Sequence, residues 1–264
     1  YPLLPGTGRA SSVISRANLL LAYPHFTGLT TTTNEGYSRY HALQTRIDKR
    51  FSHGYTVQGT YTWAKTMEAI NFSNEMDPNP LYQIADYDIP HRISISGIYE
   101  LPFGKGRPIW GQAPYAANLI VGGWQVQAIW SWQSGTPLGW GNVIFTGNIK
   151  DIPKSGDTQT VEQWFNTANF ERSNARALSY NLRTFPNRFS GPRAPGMNNW
   201  DMSVLKNTQI TERFNLQLRA ETLNTLNHPM FNAPNTDPYN TAFGTIVTSR
   251  GYARRVQVGL KAIW

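Results

Sequence analysis

The chain has no cysteine among its 264 residues. Disulfide frameworks, thiolate zinc sites and cysteine nucleophiles are therefore excluded, and the absence fits an exported bacterial protein. Long apolar runs are missing as well. The richest, Leu19–Ala22, is stopped by Pro24, far short of the ~18 residues a membrane helix needs, so a chain of this kind crosses a bilayer only with strands. Charge is scarce, at 15% of residues against roughly 25% in a typical soluble domain, which argues against coiled coils and long solvent-exposed helices. Tyr1 is not followed by a basic segment and an apolar core; the expectation is that any signal peptide has been removed or lies outside this piece.

Aromatic residues are plentiful, with 9 Trp, 13 Tyr and 12 Phe. The polarity comes from Asn, Gln, Thr, Ser and Gly, and is compatible with extended structure. The net charge of +8, from 24 basic and 16 acidic residues, is too dispersed for a nucleic-acid interface. The densest groups, Arg46–Arg50 and Arg250–Arg255, hold three bases each. A solvated or lumenal face accounts for them, with anionic lipid head groups or lipopolysaccharide as the next reading.

Alternation with a period of two recurs in seven segments. In the clearest, Tyr55, Val57, Gly59, Tyr61 and Trp63 share one face, and Thr56, Gln58, Thr60 and Thr62 the other. His41–Phe51 sets Leu43, Thr45, Ile47 and Phe51 against Gln44, Arg46, Asp48 and Arg50, and Ser52–Gly54 joins the two as a hairpin. Arg92–Phe103, Trp124–Gln133, the segment around Trp200–Val204, Phe214–Glu221 and Arg255–Trp264 follow the same rule, with a short turn expected over Asn207–Arg213. The polar parity carries Gln, Thr, Ser and Asn with opposite charges interspersed. That composition suits a crowded polar lumen better than the outer surface of a soluble sandwich.

The joints alternate between short (52–54, 207–213), intermediate (104–123) and long (65–90, 134–198, 221–250), and outer-membrane barrels have short turns on one rim and long loops on the other. Phe51, Tyr55, Trp124, Phe214 and Trp264 fall at the short-turn end, and Trp63, Trp132 and Trp200 at the long-loop end, as two interfacial girdles would require. Seven strands are an odd number, so an antiparallel barrel could not close on them alone. The chain therefore reads as the C-terminal part of a larger barrel, unless residues 1–35 or Asn142–Thr146 supply an eighth strand.

At these residues the chain resembles the TonB-dependent outer-membrane transporters, in particular their Oar-like branch. The matching phrases include Tyr40-His41-Ala42-Leu43-Gln44, Lys49-Arg50-Phe51-Ser52-His53-Gly54, Tyr61-Thr62-Trp63-Ala64-Lys65, Tyr99-Glu100-Leu101-Pro102-Phe103-Gly104-Lys105-Gly106, Gly122-Gly123-Trp124-Gln125, Ser134-Gly135-Thr136-Pro137, Leu218-Arg219-Ala220-Glu221 and Asn227-His228-Pro229. They run in order from about residue 20 to the end. The resemblance implies a barrel of about 22 strands with a plugged lumen, of which these would be the last seven. It also implies a plug and further N-terminal domains, which these residues do not contain, and a TonB system acting through that plug. The final residues, Gln257, Gly259, Ala262 and Trp264, are similar to the terminal signal by which the barrel assembly machinery recognises its clients. Strand-edge pairing supplies the affinity and alternate side chains the register.

Arg46, Asp48, Arg50, Arg219, Glu221 and Lys261 fall on the polar parity; facing a lumen, they are expected to pair across neighbouring strands and to meet a plug or solute. Lys49 and Lys206 interrupt the apolar parity near the short turns, where a long side chain snorkels to head groups. His25, His41, His53, His91 and His228 show no ligand spacing. Asp86, Asp88 and His91 are close enough in sequence to share a calcium or iron ion, although the plainer reading is a solvated loop capping the next strand. Glu75 and Asp77 read as loop acids, Gly104–Arg107 as a turn lacking the phosphate-loop spacing, and Ser134–Pro137 as a strand terminator.

The expected fold is thus all-β, an antiparallel transmembrane β-barrel segment with long extracellular loops, located in the bacterial outer membrane and in contact with lipid and lipopolysaccharide. The expected role is the wall of a TonB-dependent receptor taking up an unknown solute, with no catalysis, cofactor, metal or nucleic acid. An autonomous porin-like barrel of eight strands and a soluble β-sandwich that stacks sugars on exposed Trp are the alternatives. The solute itself is not legible: the loop 134–198 is expected to matter for it, but Trp164, Phe165, Asn166 and their neighbours show no ligand-specific spacing.

Overall fold

The computed structural model describes residues 30–74, 76–177 and 181–264 and, ahead of them, 13–14, 16, 18–20 and 23–24. Seven long strands dominate: β1 (Tyr37–Ser52), β2 (Tyr55–Ala69), β4 (His91–Glu100), β5 (Trp124–Gln133), β6 (Met197–Gln209), β7 (Asn215–Leu223) and β10 (Arg255–Ile263). Short pieces β3 (Gln83–Ile84), β8 (Met230–Phe231) and β9 (Ser249–Arg250) lie in the long connections, and one helix, α1 (Tyr115–Val121), sits in the 104–123 joint. Among the described residues no helix is long and apolar enough to cross a membrane.

The long strands form one antiparallel sheet in the order β1-β2-β4-β5-β6-β7-β10. The sheet is not closed: β1 and β10 each pair on one edge only. Because the side-chain period is two, a one-residue slip at any joint would move a strand's apolar set to the opposite face. The one shift is a bulge between Lys49 and Ser52, at the end of β1 beside its hairpin; elsewhere the pairing keeps one parity. Leu43 faces Trp63, Tyr61 faces Ile93, and Ile93 faces Trp132. Further along, Val126 faces Val204, Val204 faces Ala220, and Ala220 faces Val258. One face is therefore apolar from edge to edge. Ile47, Trp63, Leu218, Val258 and Leu260 are all exposed on it, so Leu218 does not lie in a closed interior, and the face requires hydrocarbon.

Aromatic residues concentrate toward the two rims of that face. Trp130 and Trp200 stack with centroids 5.6 Å apart, one row in from Trp132, and the Tyr61 hydroxyl lies 2.9 Å from His91 Nδ1. Phe51, Tyr55, Tyr99, Trp124, Phe214 and Trp264 occupy the short-turn half.

Several element bounds differ from the alternation. β2 continues six residues beyond Trp63, and there its second edge meets β3, through Met67↔Ile84 and Glu68↔Gln83, rather than β4. Ala64, Thr66, Glu68 and Ala69 are buried at that extension, which hides the polar-apolar rhythm. β4 stops at Glu100 because Pro102 has no N–H to donate; the Pro102 carbonyl instead accepts from Ile109 N–H at 2.9 Å. β6 runs on to Gln209, so the turn begins at Ile210. Asn142–Thr146 forms no eighth strand and contributes a single bridge, Phe145↔Phe170. Residues 30–36 form no strand, and most of the preceding segment lies outside the described residues.

Replacing Val204, central on the apolar face, by Arg is expected to lower unfolding stability in lipid by ~2–4 kcal/mol. Gln58→Arg on the opposite face is expected to change it by less than ~0.5 kcal/mol. Urea titration in phospholipid bilayers measures both, and equal losses would contradict the assignment of faces.

Candidate functional site

The polar face of the sheet forms a hollow of about 940 Å³ lined by Gln58, Gln127, Ser203, Arg219, Glu221 and Gln257, among others. Ser203 Oγ donates to Gln127 Oε1 at 3.3 Å and Gln217 Nε2 to Asn207 Oδ1 at 2.8 Å. The charges on this face pair along strands and not across them. Arg46 binds Asp48 at 2.7 Å, and Arg219 binds Glu221 at 2.5 Å. The register explains this departure from expectation: Arg46 and Asp48 face Thr60 and Gln58, Arg219 faces Leu205 and Gly259, and Glu221 faces Ser203 and Gln257. No opposite charge stands across, whereas an i, i+2 neighbour on the same face is roughly 7 Å away, within reach of a guanidinium. Arg50 and Lys261 make no ion pair among the described residues.

Lys206 does not snorkel to head groups. It is buried, its Nζ donates to the Gly122 carbonyl at 2.5 Å, and it lies 5.9 Å from the Trp124 ring. The α1 connection folds over it and removes any path to the interface. Lys49 turns onto its own hairpin, donating to Ser52 Oγ and to the Arg50 carbonyl at 3.1 Å, with Nζ 4.8 Å from the Tyr55 ring centroid.

At the long-loop rim, residues 134–177, 181–196 and 224–254 form a folded cap with its own dry core. Leu138, Trp140, Val143, Ile152, Phe165, Phe170, Phe185 and Phe243 are buried together. Trp140 is central: Phe165 meets it edge-on at 4.9 Å, Phe170 stacks at 5.4 Å and Phe185 stands edge-on at 5.5 Å. Trp164, Phe165 and Asn166, which carried no ligand spacing, are structural. Phe165 is core, Trp164 Nε1 donates to the Arg193 carbonyl at 2.6 Å, and Asn166 donates to the Asp151 carbonyl at 3.2 Å while accepting from Ala168 N–H at 3.1 Å. The signal available for this was the aromatic density between Trp140 and Phe189, too high for a solvated loop.

Three arginines of the cap hold it in place. Arg188 pairs with buried Glu68 on β2 and donates to the Ile84 carbonyl at 2.8 Å. Arg193 pairs with Asp88 at 2.6 Å and reaches the Asp88 and Gly135 carbonyls, each at 3.0 Å. Asp88 is fully buried, and its other oxygen accepts the Thr66 N–H at 2.6 Å. Arg183 binds the carbonyls of Trp140, Gly141 and Phe185, and burial lowers its pKa from the ordinary guanidinium value, although an arginine stays charged. Gly135 is needed where the cap strand crosses, because a Cβ there would sit 1.6 Å from the Ala194 carbonyl oxygen. Asn224, buried at φ +51°, binds the His228 and Tyr252 carbonyls and so starts the second cap segment.

The acid-histidine group considered for a metal is taken apart by this packing. Asp88 belongs to Arg193, His91 to Tyr61, and Asp86 is exposed on its turn. Among the described residues no group of His, Asp or Glu has metal-binding geometry; His25 and Glu75 lie outside them. Asp77 accepts the Asn74 N–H at 2.8 Å and so closes its own loop, and Asn118 accepts the Lys105 N–H at 2.7 Å to organise Gly104–Arg107.

In β10, Gln257 and Gly259 face the polar side and Ala262 the apolar side, while Trp264 follows the strand and is 91% exposed. A Cβ at Gly259 would meet nothing within 4 Å, so packing in the sheet does not require glycine there.

Residues 3–257 match the family model described as an outer membrane beta barrel domain. No curated protein matches the chain.

Arg193→Met strands a buried carboxylate and is expected to cost about 3–5 kcal/mol. The double variant Asp88→Asn/Arg193→Met should recover part of that loss. Detergent-phase unfolding and trypsin cleavage within residues 134–196 provide the readouts. Trp140→Ala, which empties the centre of the cap, is expected to cost about 3–5 kcal/mol and to raise the same cleavage.

Proposed function

This chain belongs to the outer membrane β-barrel domain family and resides in the bacterial outer membrane, and from that premise we propose that it is wall of a TonB-dependent receptor of the Oar-like kind. The carrying observation is a predominantly apolar face shared by seven strands, which leaves two edges unpaired. Strands β1 and β10 run in the same direction, so closure by antiparallel pairing calls for an odd number of further strands, as a larger receptor barrel supplies. An eight-stranded porin-like barrel would need one more strand, and Asn142–Thr146 does not provide it.

In this reading the short turns lie in the periplasm and the cap faces outward. The Gln- and Ser-rich face lines the lumen and meets a plug. Energy enters through the plug, and the wall strands contribute the conduit, the lipid and lipopolysaccharide contacts and the terminal strand that the assembly machinery reads. A cap with a dry core and buried ion pairs serves as a rigid vestibule, leaving movement to the plug.

The test is in-cell cross-linking between TonB and the outer-membrane polypeptide that carries these strands. A cross-link lost on depolarising the inner membrane is the expected outcome. A protein that inserts correctly, never cross-links and passes solutes regardless of the gradient would make it a porin. For the terminal signal, Gly259→Ala is expected to leave the melting temperature of the assembled barrel unchanged while slowing its appearance as a heat-modifiable band.

A further inference from the structure

On the polar face, just inside the cap rim, lies a second hollow of about 280 Å³. Its origin is visible in the register. Gln44, Thr62 and Arg92 form one row across β1, β2 and β4. Tyr40 and Thr66 form the row four residues nearer the rim. Between them stand Ala42 and Ala64, facing each other, and the small Ala64 side chain, which lines the hollow, leaves a concavity there. Tyr87 closes it from the 85–88 turn. Tyr40 and Tyr87 are 57% and 58% exposed, which is unusual for rings set beside a dry cap.

The turn that carries Tyr87 is held at both sides. Asp88 N–H donates to the Ala85 carbonyl at 3.1 Å, and the Asp88 side chain is locked by Arg193 and Thr66. The ring is thus presented by a rigid support, as a binding platform requires. Arg92 has no ion-pair partner among the described residues. The nearby acids Glu68 and Asp88 are neutralised by Arg188 and Arg193, and exposed Asp86 does not line the hollow. Arg92 therefore offers an uncompensated guanidinium, whose planar fork suits a carboxylate.

We propose that this hollow binds one sugar ring bearing a carboxylate, a uronic-acid unit. Tyrosine faces supply a surface for the C–H side of a pyranose, as aromatic side chains with an apolar body and a polar tip do. Gln44, Thr62 and Thr66 supply partners for its hydroxyls, and Arg92 takes the acid. The size agrees, since sites for drug-sized ligands run to roughly 300–1,000 Å³ and this one is smaller. The proposal deepens the uptake reading and rests on it only for the side from which the solute arrives.

The experiment is calorimetric titration of digalacturonate, and of its neutral methyl ester, into the protein extracted from outer membranes in detergent. Binding here needs neither TonB nor a gradient, so its failure is distinct from failure of the cross-linking test. Saturable binding of the acid is expected, weaker for the ester. Arg92→Gln should weaken the acid at least tenfold and leave the ester unchanged, and Tyr87→Ala should weaken both. Both variants should keep the heat-modifiable migration of the folded protein. No saturable binding by the correctly folded protein, equal affinity for acid and ester, or an Arg92→Gln protein that binds the acid as before would overturn the assignment.

Discussion

Hydrocarbon offers no hydrogen bonds, so the backbone of this wall has to satisfy itself by pairing strand to strand. Pairing of that kind leaves side chains only two directions, and one of them meets lipid. All six interfaces between the long strands keep the same parity, apart from the bulge between Lys49 and Ser52 at the β1–β2 hairpin. The apolar rows and the Gln-, Ser- and Thr-rich rows are consequences of that single constraint, as is the placing of Arg46, Asp48, Arg219 and Glu221 on the polar face. So are the open edges: β1 and β10 expose main-chain donors and acceptors that cannot be left bare in a membrane.

Where the strands leave the sheet, a different physics takes over. The cap has to fold in water beside a surface that is half polar, and it does so with an aromatic core and with arginines that reach down to the wall. Arg188 and Arg193 bring Glu68 and Asp88 out of solvent entirely. Replacing such pairs by apolar residues can be stabilising in general, so their value here lies in geometry. They set where the cap sits, hold the 85–88 turn, and thereby place Tyr87 over the hollow at Ala64.

The strands were readable from the chain because alternation is a local property. Tyr55–Trp63 or Trp124–Gln133 needs no knowledge of its neighbours to declare two faces, and joint lengths separate the rims. β2 beyond Trp63 escaped that reading because Thr66 and Glu68 are polar side chains buried by distant residues. The partners of Arg46 and Arg219 were misjudged for a related reason. Which residue stands opposite depends on register, and register is a relation between strands. The cap was hardest: Trp164 and Phe165 look like loop aromatics until Phe243, some eighty positions away, is found in the same core.

From composition and period alone came the all-β class, the absence of thiol chemistry, the lipid-facing and water-facing parities and the two rims, since each is written in residues close together along the chain. The third dimension decided which charges pair, that Asp88 is a buried clamp, that Lys206 is sealed under α1, and that a hollow opens at Ala64 beside Arg92. These depend on contacts between residues far apart in sequence, which only the packed arrangement of strands and cap brings within a few ångströms.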